Sequence, residues 1–445
     1  MKVKPHNYAA KTVSLAILFG AWIALAFPAV AMDFKIELDR EVMPVGEAQT
    51  AVVKISVTAP SIVRPVDRPP VNLAVVLDRS GSMQGERIRQ ARLAAIEALR
   101  RLDERDYFTL VAYDSGVETL ISAQRPVNQA GMEEVINSIQ AGGMTALFSG
   151  VSQGAAELRR HIEGDFVHRI ILLSDGIANV GPSSPEDLAR LGASLGKENI
   201  TVSTVGLGLG YNEDLMTRLA RASDGNAYFV EGAADLPRIF AGELGDVLNV
   251  AARRVRLRID FANQARPLRI IGREGLITER SVEISLNQLY GGQERFVLVE
   301  IELPAVGEPV GRLEIARARC DYEDVVSREV RQVQTAAAVG FSADREKVRQ
   351  SVNQELNRQW AQSNMAIAQE EAIELADRRD LPGAAANFRL RAEELRERGQ
   401  ALGLDFEAEA GELEAQGVQV QSDGIDSRTR KSFRTDSYQR LYQNR

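Results

Sequence analysis

Residue 71 marks a change in the hydrophobic grammar of the chain, and residue 250 marks its reversal. Upstream, residues 33–58 alternate: after FKIEL, Val53, Ile55 and Val57 are apolar while Lys54 and Ser56 are polar. A period of two predicts strands with one buried face. From 71 the run VNLAVVL is continuously apolar, as expected of a strand buried on both faces of a parallel sheet. Strand-like segments at 106–113, 117–122, 168–174, 201–207 and 226–230 then interleave with helical segments near 84–102, 131–139, 149–161, 185–197, 212–222 and 235–249. This alternation predicts an α/β fold over 71–250: a doubly wound, mostly parallel, Rossmann-like sheet with helices on both faces.

Beyond 250 the period of two returns. Val255, Leu257, Ile259 and Phe261 alternate with Arg254, Arg256, Arg258 and Asp260, and SVEISL (281–286) and RFVLVEIEL (295–303) follow. Further strands are expected at 311–318 and 325–335. Residues 32–70 and 251–338 are each too short of strands for a sandwich, but together they supply about the seven required. The expected architecture is one β-sandwich built from both flanks, with 71–250 inserted. Two unrelated small β units are the alternative. Residues 339–418 keep helical spacing with a break at DLPGA (380–384), which predicts a helical hairpin. The polar, basic tail 419–445 is expected to be disordered. Trp360 is expected to pack within the hairpin.

Residues 1–31 read as an export signal. Lys2, Lys4 and Lys11 precede an uncharged, mostly apolar stretch from Val13 to Phe27, and Ala29-Val30-Ala31 fits a small-x-small cleavage site. The expected location is periplasmic or secreted, an uncleaved membrane anchor being the other reading. A formal net charge of −8 disfavours nucleic acid, which needs a basic face. The single cysteine, Cys320, allows no internal disulfide and is expected to be a half-buried strand residue.

The chemistry concentrates in three loops. LDRSGSM places Asp78, Ser80 and Ser82 directly after the first buried strand. Magnesium and calcium take hard oxygen ligands, and one carboxylate with two hydroxyls coordinates without piling up charge. Gly81 is expected to give the sharp turn. GGMTALFSG offers Thr145, and LLSDGIANVG offers Asp175 at the end of another apolar strand. Open α/β sheets bind ligands beyond the carboxyl ends of their strands, where strand order reverses. If those two strands are neighbours there, both carboxylates meet above the sheet.

DRSGS, Thr145 in GGMTAL and Asp175 in SDG closely resemble the metal-ion-dependent adhesion site of von Willebrand factor type A domains. The resemblance covers roughly 71–250, including TVGLGLGYNEDLM (204–216). It implies that Mg²⁺, or Mn²⁺ or Ca²⁺ in its place, is held directly by Ser80, Ser82 and Thr145. Asp78 and Asp175 would act through water. One coordination position would be left for an Asp or Glu carboxylate of a partner protein. It also implies that the last helix, near 235–249, can move on ligand binding. The flanking layout resembles secreted bacterial relatives and the heavy chains of inter-alpha-trypsin inhibitor.

The expected function is a metal-dependent protein-binding module of the bacterial cell envelope, not an enzyme. One alternative is a structural protein whose metal only stabilises the fold. The other is a metal-dependent hydrolase, which would need a positioned base or nucleophile. Beyond the leader only His161 and His168 are available, neither in a Cys/His pattern, and there is no phosphate-binding GxxxxGK[ST] loop and no G-x-S-x-G turn.

Overall fold

A computed structural model of the chain describes residues 32–61, 68–163 and 165–443. The expected export signal lies outside these residues. The first flank supplies β1 (Asp33–Leu38), β2 (Val42–Pro44) and β3 (Gln49–Thr58). The α/β segment opens with β4 (Val71–Asp78), α1 (Glu86–Arg100), β5 (Tyr107–Tyr113), β6 (Val117–Gln124), α2 (Gln129–Asn137) and α3 (Leu147–Arg159). It continues through β7 (Val167–Ser174), α4 (Pro185–Lys197), β8 (Ile200–Leu207), α5 (Glu213–Ala222), β9 (Ala227–Val230) and α6 (Leu236–Val247). The second flank comprises β10 (Val250–Phe261), β11 (Arg266–Ile271), β12 (Leu276–Ile277), β13 (Ser281–Tyr290), β14 (Glu294–Leu303), β15 (Val310–Asp324) and β16 (Val330–Ser342). Five helices follow: α7 (Arg345–Gln350), α8 (Gln354–Asp377), α9 (Leu381–Leu402), α10 (Glu407–Asp423) and α11 (Ser427–Tyr442).

The α/β sheet has the order β6-β5-β4-β7-β8-β9, with only the edge strand β6 antiparallel. Every residue of β4 is buried. Leu73, Val75 and Leu77 pack with residues of α1 and α6, while Ala74 and Val76 pack with residues of α3, α4 and α5. That two-sided burial explains why the strand is apolar without interruption. The chain leaves β4 towards β5 and β6, then returns to lay β7 on the other side of β4. The strand order therefore reverses between β4 and β7.

The flanks form two further sheets, β1-β3-β14-β11 and β12-β13-β10-β15-β16-β2. β3 of the first flank pairs with β14 of the second over its whole length, from Thr58 opposite Glu294 to Gln49 opposite Leu303. Val53, Ile55 and Val57 meet Val255, Leu257 and Ile259 in the core between the sheets. The other face of β3 carries Val52, Lys54 and Ser56, and it is buried as well. Val52, Leu298 and Ile271 share an apolar cluster there with Leu356, Trp360 and Met365 of α8. Lys54 pairs with Glu294 at 2.8 Å and lies over the Phe296 ring.

Several expectations need correcting. The last expected strand begins at Val330 rather than 325, because 325–329 form the turn into it. β2, β11 and β12 were not anticipated; they are short or lack a full period. The helical region holds more than a hairpin. DLPGA does mark the break: Asp380 accepts the Gly383 backbone N–H at 2.9 Å to cap α9. The tail, expected to be disordered, completes α10 and forms α11. Its cations find acids far away in sequence. Arg430 and Lys431 pair with Glu213, and Arg434 bridges Asp214 and Glu370. Tyr438 and Tyr442 stack on each other and are buried. Cys320 is fully buried on β15, and burial pushes its thiol pKa up to about 12, which keeps it inert. Among the described residues no helix is long and apolar enough to cross a membrane.

Candidate functional site

β4 and β7 are parallel neighbours, with Leu77 opposite Leu173. Their carboxyl ends therefore deliver Asp78 and the Ser174-Asp175 pair to the same rim. Backbone hydrogen bonds gather the remaining loops. The Gly142 N–H donates to the Arg79 carbonyl at 2.7 Å, and the Gly81 N–H to the Gly143 carbonyl at 3.1 Å. The Asn179 side chain accepts the Thr145 N–H at 2.9 Å, and the Asn179 N–H donates back to the Thr145 carbonyl at 3.1 Å. Three stretches of chain are thus stapled edge to edge.

The turn chemistry differs from the expectation. Gly81 opens a short 3-10 turn, Gly81–Met83, and has no left-handed φ. The left-handed positions are Gly85, at φ +76°, and Gly143, at φ +82°. At Gly143 a Cβ would also stand 3.0 Å from Ser115 Oγ, so only glycine fits.

All five anticipated side chains come together. Ser80 Oγ lies 3.1 Å from Ser82 Oγ, and Ser82 Oγ donates to Asp175 Oδ1 at 2.7 Å. A Cβ built on Gly176 would meet Thr145 Oγ1 at 3.4 Å, Ser82 Oγ at 3.5 Å and Ser80 Oγ at 4.0 Å. The three hydroxyls therefore surround one small space over Gly176. Asp78 sits beneath it, accepting the Ser80 N–H on Oδ1 at 2.8 Å and the Ser174 hydroxyl on Oδ2 at 2.8 Å. Asp78, Ser80, Thr145 and Asp175 are buried, while Ser82 is exposed and opens the site to solvent.

Electrostatics separates the two carboxylates. Asp175 has a cation beside it: Arg87 Nη1 donates to Oδ2 at 2.6 Å. Asp78 has no ion pair among the described residues, and burial raises its pKa in spite of the hydrogen bonds from Ser80 and Ser174. A buried carboxylate without a counter-charge is costly, and a bound cation would supply that charge. The donor set fits one. Adjacent ligands of an octahedral Mg²⁺ at about 2.1 Å lie about 3.0 Å apart, close to the spacing of the two serine hydroxyls. Among the described residues no three His, Cys, Asp or Glu side chains cluster to hold a metal. Any cation here would rest largely on hydroxyls and keep much of its charge.

Three contributors were missed from sequence. Ser174 holds Asp78, and its only sequence mark is its place beside Asp175. Asn179 anchors Thr145 and looks like an ordinary loop residue. Arg87, in the first turn of α1, looks like any surface arginine. Around the rim, Met144, Ile177 and Leu209 are 49%, 61% and 41% exposed, on three separate loops. Leu209 belongs to the loop after β8, which presses against the site: a Cβ on Gly210 would stand 2.9 Å from the Asp175 carbonyl oxygen.

Comparisons with known proteins bear on the fold. The sequence model of the von Willebrand factor type A domain matches residues 72–242. An uncharacterized protein of Synechocystis sp., sll0103, is 28% identical over 270 residues, 58% of this chain and 63% of its own length. Inter-alpha-trypsin inhibitor heavy chain H3 of Rattus norvegicus is 26% identical over 228 residues, 48% of this chain but only 26% of its own. This chain thus spans less than two thirds of either relative. Among solved structures, a von Willebrand factor type A protein from Catenulispora acidiphila superposes with a TM-score of 0.64 at 19% identity, over 88% of this chain and 98% of that one. The ArnB paralog VWA2 from Sulfolobus acidocaldarius gives 0.57 at 16% identity, over 93% and 98%. At such identities these two establish a shared fold.

Proposed function

Because residues 72–242 are a von Willebrand factor type A domain, we propose that this chain captures a partner protein through a divalent cation. The cation, Mg²⁺ or Mn²⁺ or Ca²⁺ in its place, would be held by Ser80, Ser82 and Thr145, with Asp78 and Asp175 acting through water. It would offer a Lewis-acid position to an incoming Asp or Glu carboxylate. One observation carries the reading: three hydroxyls, from Ser80, Ser82 and Thr145, surround a space over Gly176, with Asp175 bonded to Ser82 and a buried carboxylate, Asp78, that has no ion pair among the described residues. The exposed Met144, Ile177 and Leu209 favour a protein partner, since they give an apolar rim for a neighbouring segment to cover.

An enzymatic reading finds less support. Ser80 and Ser82 hydrogen-bond to each other and Ser82 to Asp175, and among the described residues no histidine hydrogen-bonds to either. His168 lies on β7 against Asn72, at 3.2 Å. We place the protein outside the cytoplasm on the sequence pattern of residues 1–31 alone.

The test is calorimetric titration of Mg²⁺ into the full chain and an Asp78→Ala variant, with partner capture from bacterial envelope extract in magnesium and in chelator. Saturable Mg²⁺ binding and capture, both lost in the variant, support the proposal. Capture that persists in excess chelator refutes it. Metal binding that raises the melting temperature while capture ignores Asp78→Ala would assign the metal a purely structural part.

A further inference from the structure

Away from the metal rim, α4, α5, β10, β13, the turn after β11 and the end of α11 line an open crevice of about 570 Å³. Its lining carries Lys197, Arg221, Arg254, Arg256 and Arg273 against two acids, Asp224 and Glu274. Such a positive excess is unexpected in a chain of net charge −8. The nearby acids neutralise it only in part. Asp224 Oδ1 is 3.9 Å from Arg273, and its Oδ2 is taken by the Asn287 N–H at 2.7 Å. Glu370 lies 3.6 Å from Arg221. Only Arg254 has a close partner, Glu323 at 3.0 Å. Lys197 and Arg256 are exposed and form no ion pair among the described residues.

The deepest of these cations is positioned and keeps one donor without a partner among the described residues. The Arg273 side chain is 4% exposed, and its Nε has no hydrogen-bond partner. The Nε of Arg221 has none either. Both guanidinium groups lie against the Tyr442 ring, Arg273 at 4.7 Å and Arg221 at 5.3 Å from its centroid. The Arg273 Nη2 donates to the Tyr442 carbonyl at 3.0 Å. Tyr442 in turn stacks on Tyr438, with centroids 4.7 Å apart. The aromatic pair holds both forks in place. A buried N–H without an acceptor is costly, and guanidinium forks match oxyanions.

We infer that this crevice binds a small oligoanion bearing phosphate-type groups. Arg273 and Arg221 contribute the inner donors, and Lys197 and Arg256 the outer charges. Lys197 and Arg256, the two lining cations without an ion pair among the described residues, favour an ion with more than one negative charge over a simple carboxylate. The crevice has room for a diphosphate and an attached small group. The site lies outside the residues assigned to the metal and stands independently of carboxylate capture.

The experiment is calorimetric titration of inorganic pyrophosphate, orthophosphate and sulfate into the full chain at low ionic strength, free of divalent ions. The same titrations are run on a Lys197→Gln, Arg256→Gln double variant, whose exposed positions leave the fold intact. Saturable pyrophosphate binding, with orthophosphate and sulfate weaker by about tenfold and the double variant also weakened by about tenfold, supports the site. Lack of saturation by about 10 mM pyrophosphate, or unchanged affinity in the double variant, overturns it. Repeating the titration on Asp78→Ala separates this site from the metal rim: affinity should be unchanged, and its loss there would place the anion at the rim and overturn the assignment.

Discussion

Arg169 and Glu243 form an ion pair at 2.9 Å with both side chains wholly buried. Arg169 stands on β7, Glu243 on α6, and the guanidinium also donates to Gln288 and Tyr290 of β13 at 2.8 and 2.7 Å. Glu243 accepts from Ser203, Asn226 and Tyr228. One arginine thus ties the centre of the α/β sheet to its last helix and to the sandwich. Removing one partner of such a pair strands the other charge. Glu243→Ala is expected to cost about 3–5 kcal/mol in urea unfolding. A loss under about 1 kcal/mol would mean that water reaches Arg169 and that the pair is not sealed.

Arg87 adjoins the same Asp175 that lines the hydroxyl cluster, and its side chain is 42% exposed. A guanidinium there repels an arriving cation, weakly because of solvent screening. Arg87→Gln is therefore expected to tighten Mg²⁺ binding roughly two- to fivefold, equivalent to about 0.5–1 kcal/mol. Calorimetric titration decides the matter. Weaker binding in the variant would show that Arg87 orients Asp175 more than it opposes the metal.

His168 sets a pH dependence. Burial lowers its pKa from 6.5 to about 4, so the folded protein holds it neutral. The unfolded chain takes up its proton near 6.5. This contribution is therefore fully present above about pH 6.5 and is lost as pH falls towards 4. At 1.36 kcal/mol per unit it amounts to about 3 kcal/mol. His168→Gln should flatten the stability profile across that window, as read by denaturant melts at several pH values. A wild-type slope kept intact in the variant would assign the effect to carboxylates.

The tail helix offers a third lever on stability. Arg430 pairs with Glu213, Asp214 and Asp377, and Arg434 with Asp214 and Glu370. These pairs are partly buried and act as a network, so they should exceed the usual surface value. Arg430→Ala with Arg434→Ala is expected to raise amide exchange in α11 by about 10- to 100-fold, with β4 and β7 unaffected. Equal protection in variant and wild type would leave Tyr438 and Tyr442 as the whole anchor.

Much of this was written locally in the sequence. The apolar run of β4 reports burial on two faces and the two-residue period of β10 burial on one, and both survive folding; β3 has the same period but is buried on both faces, because α8 covers its polar side. DRSGS, Thr145 and Asp175 are legible because loop chemistry follows strand ends. Arg87 and Ser174 are not, since nothing in their neighbours distinguishes them from a surface arginine and a strand-end serine. The tail misled for a different reason. Its charges were visible, but their partners, Glu213 and Asp214, lie more than 200 positions upstream, and no local pattern encodes such complementarity. The same holds for the crevice around Arg273, whose cations come from four separate elements.

The zip between β3 and β14 fixes an order of events during synthesis. Thr58 leaves the ribosome long before Glu294, its mate in the register. At about 5–20 residues per second, β3 waits some tens of seconds with one edge and both faces unclaimed. The inserted segment can assemble in that interval, and because β4 begins shortly after β3 while α6 runs directly into β10, its closure brings the two halves of the sandwich side by side. A nascent chain stalled after residue 250 would thus expose a lone β-ribbon, and it is the species on which a holding chaperone should act.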